Sequence, residues 1–138
     1  MIIHENKLSA EEFCFLQQSV GFGRPDLKQI ETALKNSIYI VSVETDGLTV
    51  GMGRLIGDGA RIFYLQDIFI HPDYQRQGIG TAIVKKLLAY IENIELEGCN
   101  IMVGLMAAKG KEDFYKKFDF RIRANEREGS GMMLNIQK

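Results

Sequence analysis

The sequence is poor in several things, and each shortage narrows what the chain can be. Only two cysteines, Cys14 and Cys99, occur in 138 residues. They are too few and too far apart for a disulfide framework or a thiolate metal cluster, and they fit a reducing, cytoplasmic setting. Neither sign of charge is in excess, since 17 Lys and Arg face 18 Asp and Glu for a net charge of −1. No global positive field draws the chain to nucleic acid or to an anionic membrane, so any anion site has to be local. No stretch approaches the ~18 consecutive apolar residues of a membrane span, and the opening "MIIHENKLSAEEF" lacks a basic start and an apolar core, so neither export nor insertion is expected. Repeats and low-complexity tracts are missing too, which argues against a solenoid or a disordered tail. His4 and His71 have no partner at H-x-x-x-H or H-x-H spacing, so no metal is expected. There is no G-x-S-x-G elbow, and neither cysteine has a context suggesting a nucleophile.

What is present fits one globular domain over residues 1–138, with 46% apolar and 25% charged residues. "MIIHEN" reads as a short strand. Ser9 and Glu12 then stand at capping-box spacing before a helix with Phe13, Leu16 and Val20 on one face. "GFGRP" interrupts, and Pro25 is expected to open a second helix through about Leu34. From Ser37 to Ile70 three β-branched and aromatic runs are separated by Asp46-Gly47 and by Gly57-Asp58-Gly59, the chemistry of hairpin turns, so an antiparallel meander follows. Pro72 forces the chain off the sheet. Beyond Gly80 the period changes, and Ile83, Leu87, Tyr90, Ile91 and Ile94 share one face of a long helix. "CNIMVGLMA" reads as a strand covered on both faces, "KGKEDFYKKF" as a short helix, and "DFRIRA" and "GMMLNIQ" as closing strands. The sum is a mixed α/β domain layered around one sheet.

Between the last meander strand and the long helix lies "HPDYQRQGIGT", residues 71 to 81. Gly78 and Gly80 carry no Cβ, so the chain can turn tightly and present its amides, and the first amides of a helix have no intrahelical partner and carry the positive end of its dipole. Such a turn is a seat for phosphate, to which Gln75 and Arg76 can add donors. It is not a P-loop, which needs G-x-x-x-x-G-K-[ST], nor a dinucleotide fingerprint, because Ile83 stands where a third small residue would be required.

Gln75, Gly78 and Gly80 match Q/R-x-x-G-x-G/A, and the run "LQDIFIHPDYQRQGIGTAIVKKLL" resembles the strand, proline, cradle and helix of the GNAT N-acyltransferase superfamily in their order. A second stretch, Phe114, Tyr115 and Phe120, resembles the family's F-Y-x-x-x-G-F segment, with Asp119 in the place of glycine. The resemblance implies a GNAT-like single domain whose mostly antiparallel mixed sheet splays between strands 4 and 5, flanked by about four helices. It also implies acetyl-CoA as co-substrate, with backbone contacts at Phe69 and Ile70 and the pyrophosphate within Gln75, Arg76, Gln77, Gly78, Ile79, Gly80 and Thr81. Tyr115 would then protonate the departing thiolate. Asp67, and less directly Glu44, are the carboxylates offered as a base for the attacking amine, and Arg24 is offered as a grip on an anionic acceptor. The expected activity is direct acetyl transfer to a primary amine, on a small molecule by preference; a protein lysine or N-terminal acetyltransferase and a CoA-binding sensor without turnover are the alternatives. A homodimer is expected by analogy with the family.

Overall fold

Ser9 starts the first helix as its spacing from Glu12 predicts. In the computed structural model, which describes residues 1–138, α1 spans Ala10–Ser19. The Glu12 amide donates to Ser9 Oγ at 3.0 Å and the Ser9 amide to Glu12 Oε1 at 2.9 Å. α2 spans Leu27–Lys35, and its cap is Asp26, whose carboxylate accepts from the Gln29 amide at 2.9 Å. Pro25 therefore lies outside the helix instead of opening it; a side-chain acceptor satisfies an orphan amide, which proline cannot do.

The strands are β1 (Ile2–Glu5), β2 (Tyr39–Thr45), β3 (Leu48–Gly57), β4 (Ile62–Ile70) and β5 (Met102–Gly104), lying in the order β1-β2-β3-β4-β5. All neighbours pair antiparallel except β4 and β5, which are parallel, so the sheet is mixed and mostly antiparallel as expected. The β2–β3 turn has positive φ at both Asp46 (52°) and Gly47 (79°), the geometry that favours such a pair in a two-residue hairpin. α3 spans Ile79–Glu92 and α4 spans Glu112–Lys116.

One face of the sheet is covered by α1 and α2, whose Phe13, Cys14, Leu16 and Ile30 pack with Met52 and Phe69. Strand alternation turns Gly51 and Gly53 to the opposite face, where Ile79, Ile83 and Leu87 of α3 come down on them. No helix is long and apolar enough to cross a membrane.

The chain forms two compact units, Met1–Gly104 and Leu105–Lys138. The second contains α4 followed by chain without regular structure. Three expectations are corrected. β5 is limited to three residues at the sheet's edge, with Met102 exposed, and is not a long strand covered on both faces. Neither "DFRIRA" nor "GMMLNIQ" forms a strand. In the first, the backbone is held by a polar turn around Asn125: its Nδ2 donates to the Ile122 carbonyl at 3.1 Å, and its Oδ1 accepts from the amides of Arg127 (2.9 Å) and Glu128 (3.0 Å). Asparagine side chains offer the backbone this alternative to a ladder. In the second, Met132, Met133, Leu134 and Ile136 stay exposed, so the apolar alternation finds no partner.

Candidate active site

The end of β4 departs from regular strand geometry, and one residue accounts for it. Met52 pairs with Phe69 but Arg54 pairs with Gln66, so β4 carries an extra residue, and Asp67 takes φ 56° there. An aspartate tolerates this left-handed conformation better than most residues with a Cβ, and a bulge of this kind bends the strand. The bulge is tied down by a nearly buried ion pair, Arg54 Nε to Asp67 Oδ2 at 2.7 Å, while Arg54 also donates to Ser37 Oγ at 3.2 Å.

The ladder between β4 and β5 runs only from Ile62–Met102 to Tyr64–Gly104. From Leu65 to Ile70, β4 has no β5 residue beside it, which is the splay that the family resemblance implies. Backbone groups along such an edge are free to bond an extended ligand carrying amides. The Phe69 side chain itself is buried, its ring edge-on to Phe13 at 5.7 Å, so any contact from this position to a ligand has to come from its backbone.

After β4 the chain turns through Pro72–Tyr74. The His71 amide donates to the Val50 carbonyl at 2.8 Å, and His71 Nδ1 accepts from the Asp73 amide at 3.2 Å, so the imidazole caps this turn. Gln75 Nε2 donates to the Ile70 carbonyl at 3.0 Å, which ties the turn to the strand end. Arg76 and Gly78 both have positive φ, 63° and 84°. Left-handed residues alternating with ordinary ones aim successive amides inward, as in anion-binding nests. Gly78 is the N-cap of α3 and offers no side-chain acceptor, and no acidic residue lies in the first turn. The first intrahelical bond is from the Ala82 amide to the Gly78 carbonyl at 3.0 Å, so the amides of Ile79, Gly80 and Thr81 have no partner within the helix. Gln75, Arg76, Gln77 and Gly78 are exposed, whereas the Ile79 side chain is buried and anchors the turn from beneath. The arrangement suits a diphosphate: uncapped amides, the positive end of a helix dipole and an exposed guanidinium on one turn.

Arg24 is held by Glu11 of α1, Nη2 to Oε2 at 3.0 Å, with both side chains at least half exposed. Beside it Phe22 sits between two left-handed glycines, Gly21 (φ 88°) and Gly23 (φ 76°), with its ring 6.2 Å from Phe69. Sequence reasoning passed over Arg54, whose pairing with Asp67 depends on a bulge that no periodicity displays.

In the second unit, Tyr115 of α4 lies among Phe114 (5.0 Å) and Phe120 (6.2 Å). Burial pushes its hydroxyl above the ordinary phenol range, so it keeps its proton and can serve as a donor. Asp119, standing where the resembling motif has glycine, adopts φ 69°, a conformation aspartate accepts.

Residues 10–135 match the family model of the acetyltransferase (GNAT) domain. An N-acetyltransferase of Pyropia yezoensis, described as uncharacterized, is 30% identical over 119 residues, which cover 83% of this chain and 64% of that protein. The chain thus spans less than two thirds of that relative's length. A Staphylococcus aureus protein of unknown function, described as a probable acetyltransferase, has a solved structure similar to this one with a TM-score of 0.83 at 28% identity, over 98% of this chain and 100% of its own. A GNAT-family acetyltransferase of Streptococcus pneumoniae gives 0.80 at 27% identity, over 99% and 98%. A shared anion cradle would account for likeness around one turn, but the match extends through both compact units. On that ground the chain belongs to the GNAT acetyltransferase family.

Proposed function

We propose that the protein transfers an acetyl group from acetyl-CoA to a primary amine, directly and within a ternary complex, with a small molecule as the acceptor. The observation that carries this reading is the pair of openings in the first unit: the uncapped amides of Ile79, Gly80 and Thr81, and the edge of β4 from Leu65 to Ile70 left unpaired by β5. They match the two ends of one ligand, a diphosphate and an extended chain bearing amides. The stretch that the family model matches runs through both units, which supports treating residues 1–138 as one working domain, and the two unpaired cysteines favour a reducing, cytoplasmic compartment.

In this reaction the amine nitrogen forms a bond to the thioester carbon, the carbon–sulfur bond breaks, and the amine's surplus proton leaves to solvent or a carboxylate. The developing oxyanion needs a donor, for which a backbone amide around Ile70 is the simplest choice. The departing thiolate needs a proton, and Tyr115 is assigned that step by its place in the family motif and by a hydroxyl that holds its proton. Asp67 has Oδ2 committed to Arg54, so its first task is to brace the bulge. Whether it also accepts the amine's proton is decided by Asp67→Asn: an unchanged acidic limb in the pH profile of acetyl transfer removes it from that role. Neither cysteine is required as a nucleophile, and a trapped acetyl-enzyme would contradict direct transfer.

Calorimetry with CoA and acetyl-CoA, followed by thiol release in the presence of small amines and of lysine peptides, tests the proposal. Saturable binding and amine-dependent thiol release are expected. Binding without release would leave a sensor, release with peptides alone would leave a protein acetyltransferase, and no saturable binding would overturn the reading altogether.

A further inference from the structure

Gly51 lies in β3 with its φ outside the left-handed range, paired with Val43 and Ile70 beside the register shift at Val50. Glycine within a strand costs stability and marks a bulge or the close approach of something else. The extra residue of the bulge is Val50 and Gly51 itself stays paired, which leaves close approach as its reason. Here that something is explicit: a Cβ at position 51 would meet Ile79 Cγ2 at 2.9 Å, Ile70 Cδ1 at 3.1 Å and Ile83 Cδ1 at 3.2 Å. Ile79 is the first residue of α3, whose amides form the cradle. Ile70 is the last residue of β4, which ends the open edge. A single missing methyl group thus sits beneath both halves of the candidate site.

Resting on the acetyl-CoA reading above, we propose that Gly51 is a positioning residue: its lack of a side chain sets the height of the first turn of α3 over the sheet, and so the distance from the cradle amides to the end of β4. A close-packed interior cannot absorb an added methyl without moving something. At position 51 the parts that can yield are the helix start and the strand end, and both would bear on the ligand. Gly53 provides the internal control. A Cβ there meets Ile68 Cδ1 and Ile83 Cγ2, each at 2.7 Å, and Leu87 Cδ1 at 3.1 Å. It is at least as crowded and it too presses on β4, at Ile68, but Ile79 is not among its three nearest neighbours, so it separates the route through the start of α3 from a push on the strand.

The test compares acetyl-CoA binding by calorimetry in wild type, Gly51→Ala, Gly53→Ala and Gly51→Ala/Ile79→Ala, at a temperature where each is folded by circular dichroism. Gly51→Ala is expected to weaken binding roughly 10-fold, a displacement effect without lost contact. Gly53→Ala is expected to lower Tm at least as much while its Kd stays within about twofold of wild type, a split that a purely structural role would not produce. Truncating Ile79 at Cβ in the double variant removes Cγ2 together with the rest of the anchoring side chain, and is expected to recover part of the affinity lost in Gly51→Ala. Wild-type affinity in Gly51→Ala, an equal loss in Gly53→Ala, or no rescue would each overturn the inference. Should Gly51→Ala not fold, Ile79→Ala with and without Gly51→Ala serves instead: equal affinity within that pair supports the route through Ile79, and a 10-fold gap rejects it. Failure of wild type to bind acetyl-CoA would fall on the functional reading, and normal binding by both wild type and Gly51→Ala on this inference alone.

Discussion

Tyr115 combines a motif position with a hydroxyl that stays protonated. Its phenol is pushed above the ordinary range by burial, so the protonated form persists where an exposed tyrosine would begin to ionise, near pH 10. If it donates to the thiolate, Tyr115→Phe should lower kcat by roughly 10²-fold with the Kd for acetyl-CoA nearly unchanged. Any alkaline limb it causes in the wild-type profile should lie above ~10, since a raised pKa keeps the acid form to higher pH. Steady-state rates and calorimetry on the two proteins measure both. The motif made Tyr115 legible in the sequence, as it did the turn around Gly78. Arg54 was not legible: it is one arginine in a strand of mixed character, and only the bulge at Asp67 brings the two together.

At the scale of elements, those built from local signals were read best. The capping box of α1, the Asp46-Gly47 turn and the apolar face of α3 depend on neighbours within a few residues, and all three are present, except that α3 ends at Glu92 and Ile94 lies beyond it. The two closing strands were misread because a strand needs a ladder partner that alternation alone cannot supply, and the Asn125 turn competed for the same backbone groups. The Arg54–Asp67 pair is the element-scale brace of β4, with side chains 13% and 14% exposed. Arg54→Ala would leave a nearly buried carboxylate without its cation and should cost about 3 kcal/mol, read as a shift in the urea midpoint at constant m-value. In the second unit Arg121 grips Glu128 through two bonds, 2.7 and 2.6 Å, and these together with Asn125 hold the carboxyl down at about 2. A depressed pKa contributes stability above the ordinary carboxylate value that is lost as pH falls toward the folded one. The clasp should therefore loosen between about pH 4.3 and pH 2. Carboxyl NMR of Glu128 should place its midpoint near the lower limit.

For the molecule as a whole, the meander was legible in its turns and the parting of β4 from β5 through family resemblance, whereas the edge position and short span of β5 were not. That parting has a thermodynamic consequence. β4 pairs with β5 only as far as Tyr64, so on the proposed reading a bound molecule lying along the rest of β4 would finish the fold as well as undergo reaction. Whatever occupies the folded form and not the unfolded chain raises resistance to heat by mass action, about 2.7 kcal/mol when its concentration is a hundred times Kd. Melting curves recorded over a titration of acetyl-CoA should climb accordingly, and a flat series would mean that the opening in the sheet is not where the molecule goes. If the curves climb, and acetyl-CoA is the donor as proposed, the durability of this protein would follow the supply of acetyl groups, being firmest when they are plentiful and easiest to unfold when they run short.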